Sequence, residues 1–120
     1  MTTAEFRKLA LALPGVSEGS HMGHADFRVA GKIFATLGYP DDLHGTIMLS
    51  PLDQDLLLQR HAKAFKPAAG AWGKAGTTSV ILKAAPTRVV ALALDSAWSR
   101  RAPKQLAAER TARSSVRKGR

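Results

Sequence analysis

His21, His24 and Asp26 stand close together in the chain and supply the residue types of a two-histidine, one-carboxylate metal site. On an extended strand positions 21 and 24 point to opposite faces, so a shared ion requires a bend at Gly23. No further ligand is fixed by spacing, so no metal is expected, and a metal-dependent hydrolase is carried only as a third reading. Ser20, Ser50, Ser79 and Ser96 lack a Gly-x-Ser-x-Gly elbow, and no triad can be assembled around them. Glycines 70, 73 and 76 fit neither a Walker loop nor a dinucleotide fingerprint and read as a flexible loop. Asp41-Asp42 reads as a solvated pair in a turn. No catalytic residue is assigned, and no cofactor.

The chemistry that remains is cationic. Around Ala30-Gly31, Phe27 and Val29, then Ile33, Ala35 and Leu37, alternate with Arg28, Phe34 and Thr36, the period-two pattern of a hairpin. If Val29 pairs with Ile33 across a three-residue loop, Arg28, Lys32 and Phe34 share the outer face; across a two-residue loop, Phe27 faces Phe34 and the grouping breaks. The first register sets cations beside an aromatic ring, a combination suited to phosphate contact with stacking. The alternative is a core Phe34 with solvated cations. Trp72, near Lys74, could stack on a base or cover an edge of the core.

Charge is distributed unevenly. The formal net charge is +9. Residues 1–98 carry ten Lys/Arg against eight Asp/Glu, whereas residues 99–120 carry Arg100, Arg101, Lys104, Arg110, Arg113, Arg117, Lys118 and Arg120 against Glu109 alone. From Thr111 onward Val116 is the single β-branched apolar residue, too little to order the segment, so residues 110–120 are expected to form a disordered basic arm. Such an arm engages polyanions by releasing counterions, or serves only to solubilise.

The elements that must position these groups follow from local pattern. A chain of 120 residues, 45% hydrophobic and 22% charged, suits one domain, placed at residues 1–109. There is no cysteine, which excludes disulfides and thiolate zinc sites and suits a reducing compartment. The longest apolar run, Val89 to Leu94, is far below the ~20 residues of a membrane span. A cytoplasmic protein is expected, with a monomer favoured. Thr2 and Glu5 form a potential capping box, and Phe6, Leu9, Ala10 and Leu13 have helical spacing up to the Pro14-Gly15 stop. Extended pieces run from Val16 to Leu37, and a strand follows over Gly45 to Ser50. Ser50-Pro51 opens a second helix to about His61, with Leu52, Leu56 and Leu57 expected inside. Phe65–Pro67 and Thr77–Lys83 read as strands. Thr87 to Arg101 reads as a last helix with Val90, Leu94, Ala97 and Trp98 on one stripe, and Pro103 ends it or restarts a short helix through Leu106 to Arg110.

Leu-Pro-Gly-Val at 13–16, Gly-His-Ala-Asp-Phe-Arg-Val at 23–29, Gly-Lys-Ile-Phe-Ala at 31–35, Trp98 and Ala-Pro-Lys-Gln-Leu at 102–106 resemble the MmcQ/YjbR family of small bacterial proteins over about residues 1–110. The resemblance implies an α+β fold like that of the bacterial frataxin CyaY, an antiparallel sheet with helices packed on one face. It also implies DNA binding through hairpin wings, and carries over Arg28 and Lys32 as contact residues. The basic arm lies outside the match. Iron binding of the frataxin kind uses an acidic helical surface and does not transfer, because the first helix sets Glu5 beside Arg7 and Lys8.

The leading expectation is a non-enzymatic DNA-binding module with little base specificity. Its contacts are Arg28, Lys32, Phe34, Lys74, Arg100, Arg101, Lys104 and the arm residues Arg110, Arg113, Arg117, Lys118 and Arg120. The alternative is a small-molecule or protein-binding domain that recognises its ligand near Phe34 and Trp72.

Overall fold

The computed structural model describes residues 1–110. Within them, α1 (Thr3–Leu11) opens on the capping box: the Thr2 hydroxyl accepts from Glu5 N at 3.1 Å while Glu5 Oε1 accepts from Thr2 N at 3.2 Å. β1 (Val16–His21), β2 (His24–Val29), β3 (Lys32–Leu37) and β4 (His44–Met48) follow as an antiparallel meander. Then come α2 (Pro51–Arg60), β5 (Phe65–Pro67), the short α3 (Gly70–Lys74), β6 (Thr77–Ile81) and α4 (Thr87–Arg101). The six strands form one sheet in the order β1-β2-β3-β4-β6-β5, every neighbouring pair antiparallel. No described helix is long and apolar enough to cross a membrane.

One sheet face is covered. Phe27, Val29, Ala35, Leu37, Ile47 and Val80 bury against Phe6 and Ala10 of α1 and Val90, Ala93, Leu94, Ala97 and Trp98 of α4. The spacing of the buried α4 positions is the 3.6-residue stripe expected from the sequence. Trp98 is fully buried and its Nε1 donates to Pro14 O at 2.9 Å, tying the end of α4 to the turn between α1 and β1.

The β2–β3 hairpin combines features of both registers. Val29 pairs with Lys32 across a two-residue turn in which Ala30 and Gly31 both have positive φ, 52° and 77°, as a type I′ turn requires. The pairing then shifts: Arg28 faces Ile33, but Phe27 faces Ala35, so Phe34 is the extra residue of a β-bulge. The bulge turns Phe34 to the same side as Ala35, and its ring is fully buried. The expectation that Phe34 lies on an outer face beside Arg28 and Lys32 is therefore corrected; burial of a whole ring outweighs strict alternation.

Two further expectations are revised. In α2, Gln54 is buried, whereas Leu52 and Leu56 are exposed and only Leu57 and Leu58 pack against the core. The cause is a pair of hydrogen bonds: Gln54 Nε2 donates to Gly73 O and Thr77 O, both at 3.0 Å, which rotates that face of the helix inward. The glycine-containing stretch around Trp72 is a short helix, α3, rather than a loop.

Residues 104–110 resume a helix after Pro103. Arg110 belongs to it and to the folded unit, with its guanidinium on both oxygens of Asp95 (2.8–3.3 Å) and 5.8 Å from the Trp98 ring centroid. Arg110, expected to open the basic arm, stands here in that helix. The rest of the expected arm, with Arg113, Arg117, Lys118 and Arg120, lies outside the described residues.

Candidate nucleic-acid interface

The uncovered sheet face carries the polar positions of the same strands. From the pairing of Asp26 with Thr36, Thr36 with Thr46 and Thr46 with Ser79, these four share it. Asp26 is the pivot. Its carboxylate is fully buried, accepts from Arg28 Nε at 2.7 Å and Arg28 Nη2 at 3.0 Å, and lies 2.8 Å from His21 Nδ1. The Arg28 hydrogen bonds, opposed by desolvation and assisted by His21, hold the Asp26 carboxyl down at about 2 against an ordinary 3.8. An ionised carboxylate only accepts, so His21 Nδ1 is the donor and Nε2 is the ring nitrogen left free.

Arg28 is thus spent on an internal bidentate pair, although its side chain remains 38% exposed. A guanidinium already neutralised by a buried carboxylate adds little to a cationic surface, which weighs against the expected phosphate contact at Arg28.

The same pair makes a pH prediction. Asp26 has a folded-state pKa below its unfolded value, so its contribution is complete above about pH 5 and is lost as pH falls through 3.8 toward 2. With partners that are more than a third exposed and screened, that contribution is about 1–2 kcal/mol. Chemical denaturation of the chain and of Asp26→Asn at pH 7 and pH 2.5 should give a stability gap that narrows at the lower pH. A gap of equal size at both would contradict the assignment.

His21 and His24 are direct cross-strand partners, because Met22 and Gly23 form a tight turn with φ of 50° and 80°. The bend that a shared face requires is therefore present, contrary to opposite-facing rings on one strand. Even so, among the described residues no group of three or more His, Asp or Glu is placed to hold a metal. These two histidines, with Met22 and Tyr39, form one end of a cleft of about 470 Å³ on the uncovered face. Ile33, Met48 and Trp72 form the other end, and Thr36 and Thr46 lie between, their hydroxyls hydrogen-bonded to each other. Tyr39 stacks edge-on against His24 with ring centroids 6.0 Å apart.

The cations expected to contact nucleic acid separate into two groups. Arg28 and Arg110 are ion-paired. Lys32, Lys74, Arg100, Arg101 and Lys104 make no ion pair with any described residue, and the fold collects them at one end of the sheet. Lys32 opens β3, at the end of the sheet where the antiparallel neighbour β4 finishes. Arg100 Nη1 donates to Met48 O at 3.1 Å, and Arg101 Nη2 lies 4.0 Å from Met48 Sδ. Lys74 closes α3, two residues before Gly76, which abuts Leu49 and Ser50. Lys104 follows Arg101 by three residues. Asp53, also near this end, turns into the groove between α2 and α4. Trp72, 58% exposed, stands where this basic end meets the cleft.

The sequence groups His21, His24 and Asp26 only as a weighed metal set; it does not show Asp26 as the clamp on Arg28, nor Tyr39 and Met48 as neighbours of the two histidines. Two signals were available. Residues 24, 26 and 28 alternate onto one face, and His-Met-Gly-His fits two strand ends around a two-residue turn.

A six-stranded antiparallel sheet with helices packed on one face defines a small α+β domain. The chain belongs to the YjbR family, whose family model matches residues 11–100. Its fold is similar to that of the crystal structure of Deinococcus radiodurans protein DR2400, a DUF419 domain, with a TM-score of 0.68 at 20% identity over 82% of this chain and 76% of that one. No curated protein matches.

Proposed function

We propose that the protein is a non-enzymatic nucleic-acid-binding module that grips phosphates with the basic end of its sheet. The observation that carries this reading is the convergence of Lys32, Lys74, Arg100 and Arg101 around the end of β4, none of them paired with a described acid. Lysines and arginines that meet no internal carboxylate keep their full charge for an external polyanion, and each phosphate engaged releases condensed counterions. Arg28 and Phe34 have no part in this surface. The cations beyond residue 110 add to it in the full chain. Nothing in this surface reads base edges in a groove, so binding is largely independent of sequence.

A salt titration of duplex DNA binding tests the reading. With about five to seven phosphates engaged, the full chain should give a log–log slope of affinity against salt near −4 to −6. Lys32→Ala combined with Lys74→Ala should flatten that slope by about 2. Lys83→Ala, beyond the other end of β6, should leave it unchanged. Tight binding that persists at high salt, or equal effects of all three lysines, would refute the interface.

A further inference from the structure

We propose that the cleft on the uncovered sheet face seats an unpaired base of a single-stranded nucleic acid, with Trp72 as the stacking platform. The inference rests on the nucleic-acid reading and adds to it the form of polymer preferred. The chain has two tryptophans and they are used oppositely: Trp98 is sealed in the core with its donor satisfied, while Trp72 is 58% exposed and its indole N–H meets no acceptor among the described residues. An indole left open at the mouth of a largely apolar cleft is the group on which a base stacks without regard to sequence.

The cleft supplies the other requirements of a flat, edge-polar ligand. Met48 and Ile33 offer apolar contact next to Trp72, and the hydroxyls of Thr36 and Thr46 lie farther along. His21, oriented by Asp26, keeps Nε2 free for a base edge. Asp26 would repel a polyanion if its charge were open, but both of its oxygens are engaged by Arg28 and His21. Charge complementarity names the occupant. The cations at the Trp72 end are placed for the phosphates that flank a seated base, whereas a neutral small molecule would have no use for them. A base held within a duplex cannot reach the cleft without leaving its stack, so the preference falls on single strands.

The experiment compares the full chain with Trp72→Ala and Trp72→Phe, titrated calorimetrically with a short oligothymidylate, a duplex of equal length and thymidine monophosphate, with tryptophan emission followed in the unsubstituted chain. The single strand should bind about tenfold more tightly than the duplex and quench the exposed indole. Trp72→Ala should lose about tenfold on the single strand with little change on the duplex. Trp72→Phe should recover most of that loss, which a folding defect would not. Equal affinity for strand and duplex with no effect of Trp72→Ala overturns the cleft assignment and leaves the phosphate surface standing. Mononucleotide binding as tight as that of the strand overturns the polymer as occupant. Absence of binding to either polymer removes both the surface and the cleft proposal.

Discussion

Trp98→Ala should lower the unfolding free energy by about 4 kcal/mol, a large part of the 5–15 kcal/mol typical of a domain this size. The indole is fully buried near the end of α4, so truncation removes its transfer energy and leaves a cavity whose walls relax only partly. Its Nε1–H also satisfies the carbonyl of Pro14 at 2.9 Å, which would be left without that donor. The contact joins residues 84 positions apart, holding the end of α4, and with it Arg100 and Arg101, against the α1–β1 turn. Urea denaturation followed by circular dichroism should show a lower midpoint at nearly constant slope. Trp98→Phe, which keeps the ring volume in part but drops the donor, should cost about half as much. A loss below about 1 kcal/mol for Trp98→Ala would mean that the site collapses around the smaller side chain and that the indole is not a keystone of the fold.

Gly76→Ala should destabilise the protein by about 2–4 kcal/mol and also weaken the proposed nucleic-acid binding. Gly76 has φ of +112°, outside the range a side chain tolerates, and a Cβ there would sit 2.0 Å from Leu49 O. Neither problem can be relieved by a rotamer change, because the obstruction is backbone. The chain must shift, and what shifts is the joint between β4, α3 and β6 that places Lys74 and Trp72. Gly70→Ala supplies the comparison within the same segment: φ is +68°, yet nothing lies within 4 Å of the added carbon. That variant should cost only about 1 kcal/mol, the left-handed backbone penalty alone. Thermal melts and the salt-titration assay check both. Equal stability losses for the two glycines would show that close approach to Leu49 is not a constraint.

Local signals made most of the architecture legible. The Thr2–Glu5 box, the Pro14-Gly15 stop, Ser50-Pro51 and the stripe of Val90, Leu94, Ala97 and Trp98 act within one turn or one face, and each element stands where they place it. The family match over residues 11–100 agrees with the resemblance read from the motifs. The inward face of α2 was not legible, because the bonds that rotate it come from Gly73 and Thr77, far along the chain. Hydrophobicity alone points Leu52 and Leu56 inward, whereas in the fold Gln54 lies inward and its amide donates both hydrogens to distant carbonyls.

The interface divides along the same line. That the chain is basic, that its cations concentrate toward the C-terminus, and that a hairpin turns at Ala30-Gly31 are properties of composition and nearest-neighbour chemistry, which need no knowledge of what lies across the sheet. Which cations remain free, whether Phe34 faces in or out, and where Trp72 stands were settled by long-range contacts. A bulge reverses every alternation beyond it, and a charge loses its reach once a buried carboxylate two residues away accepts both of its hydrogen bonds. Such outcomes depend on pairing energies summed over the whole sheet, so only the folded chain could leave Lys32 unpaired and tie Arg28 to Asp26.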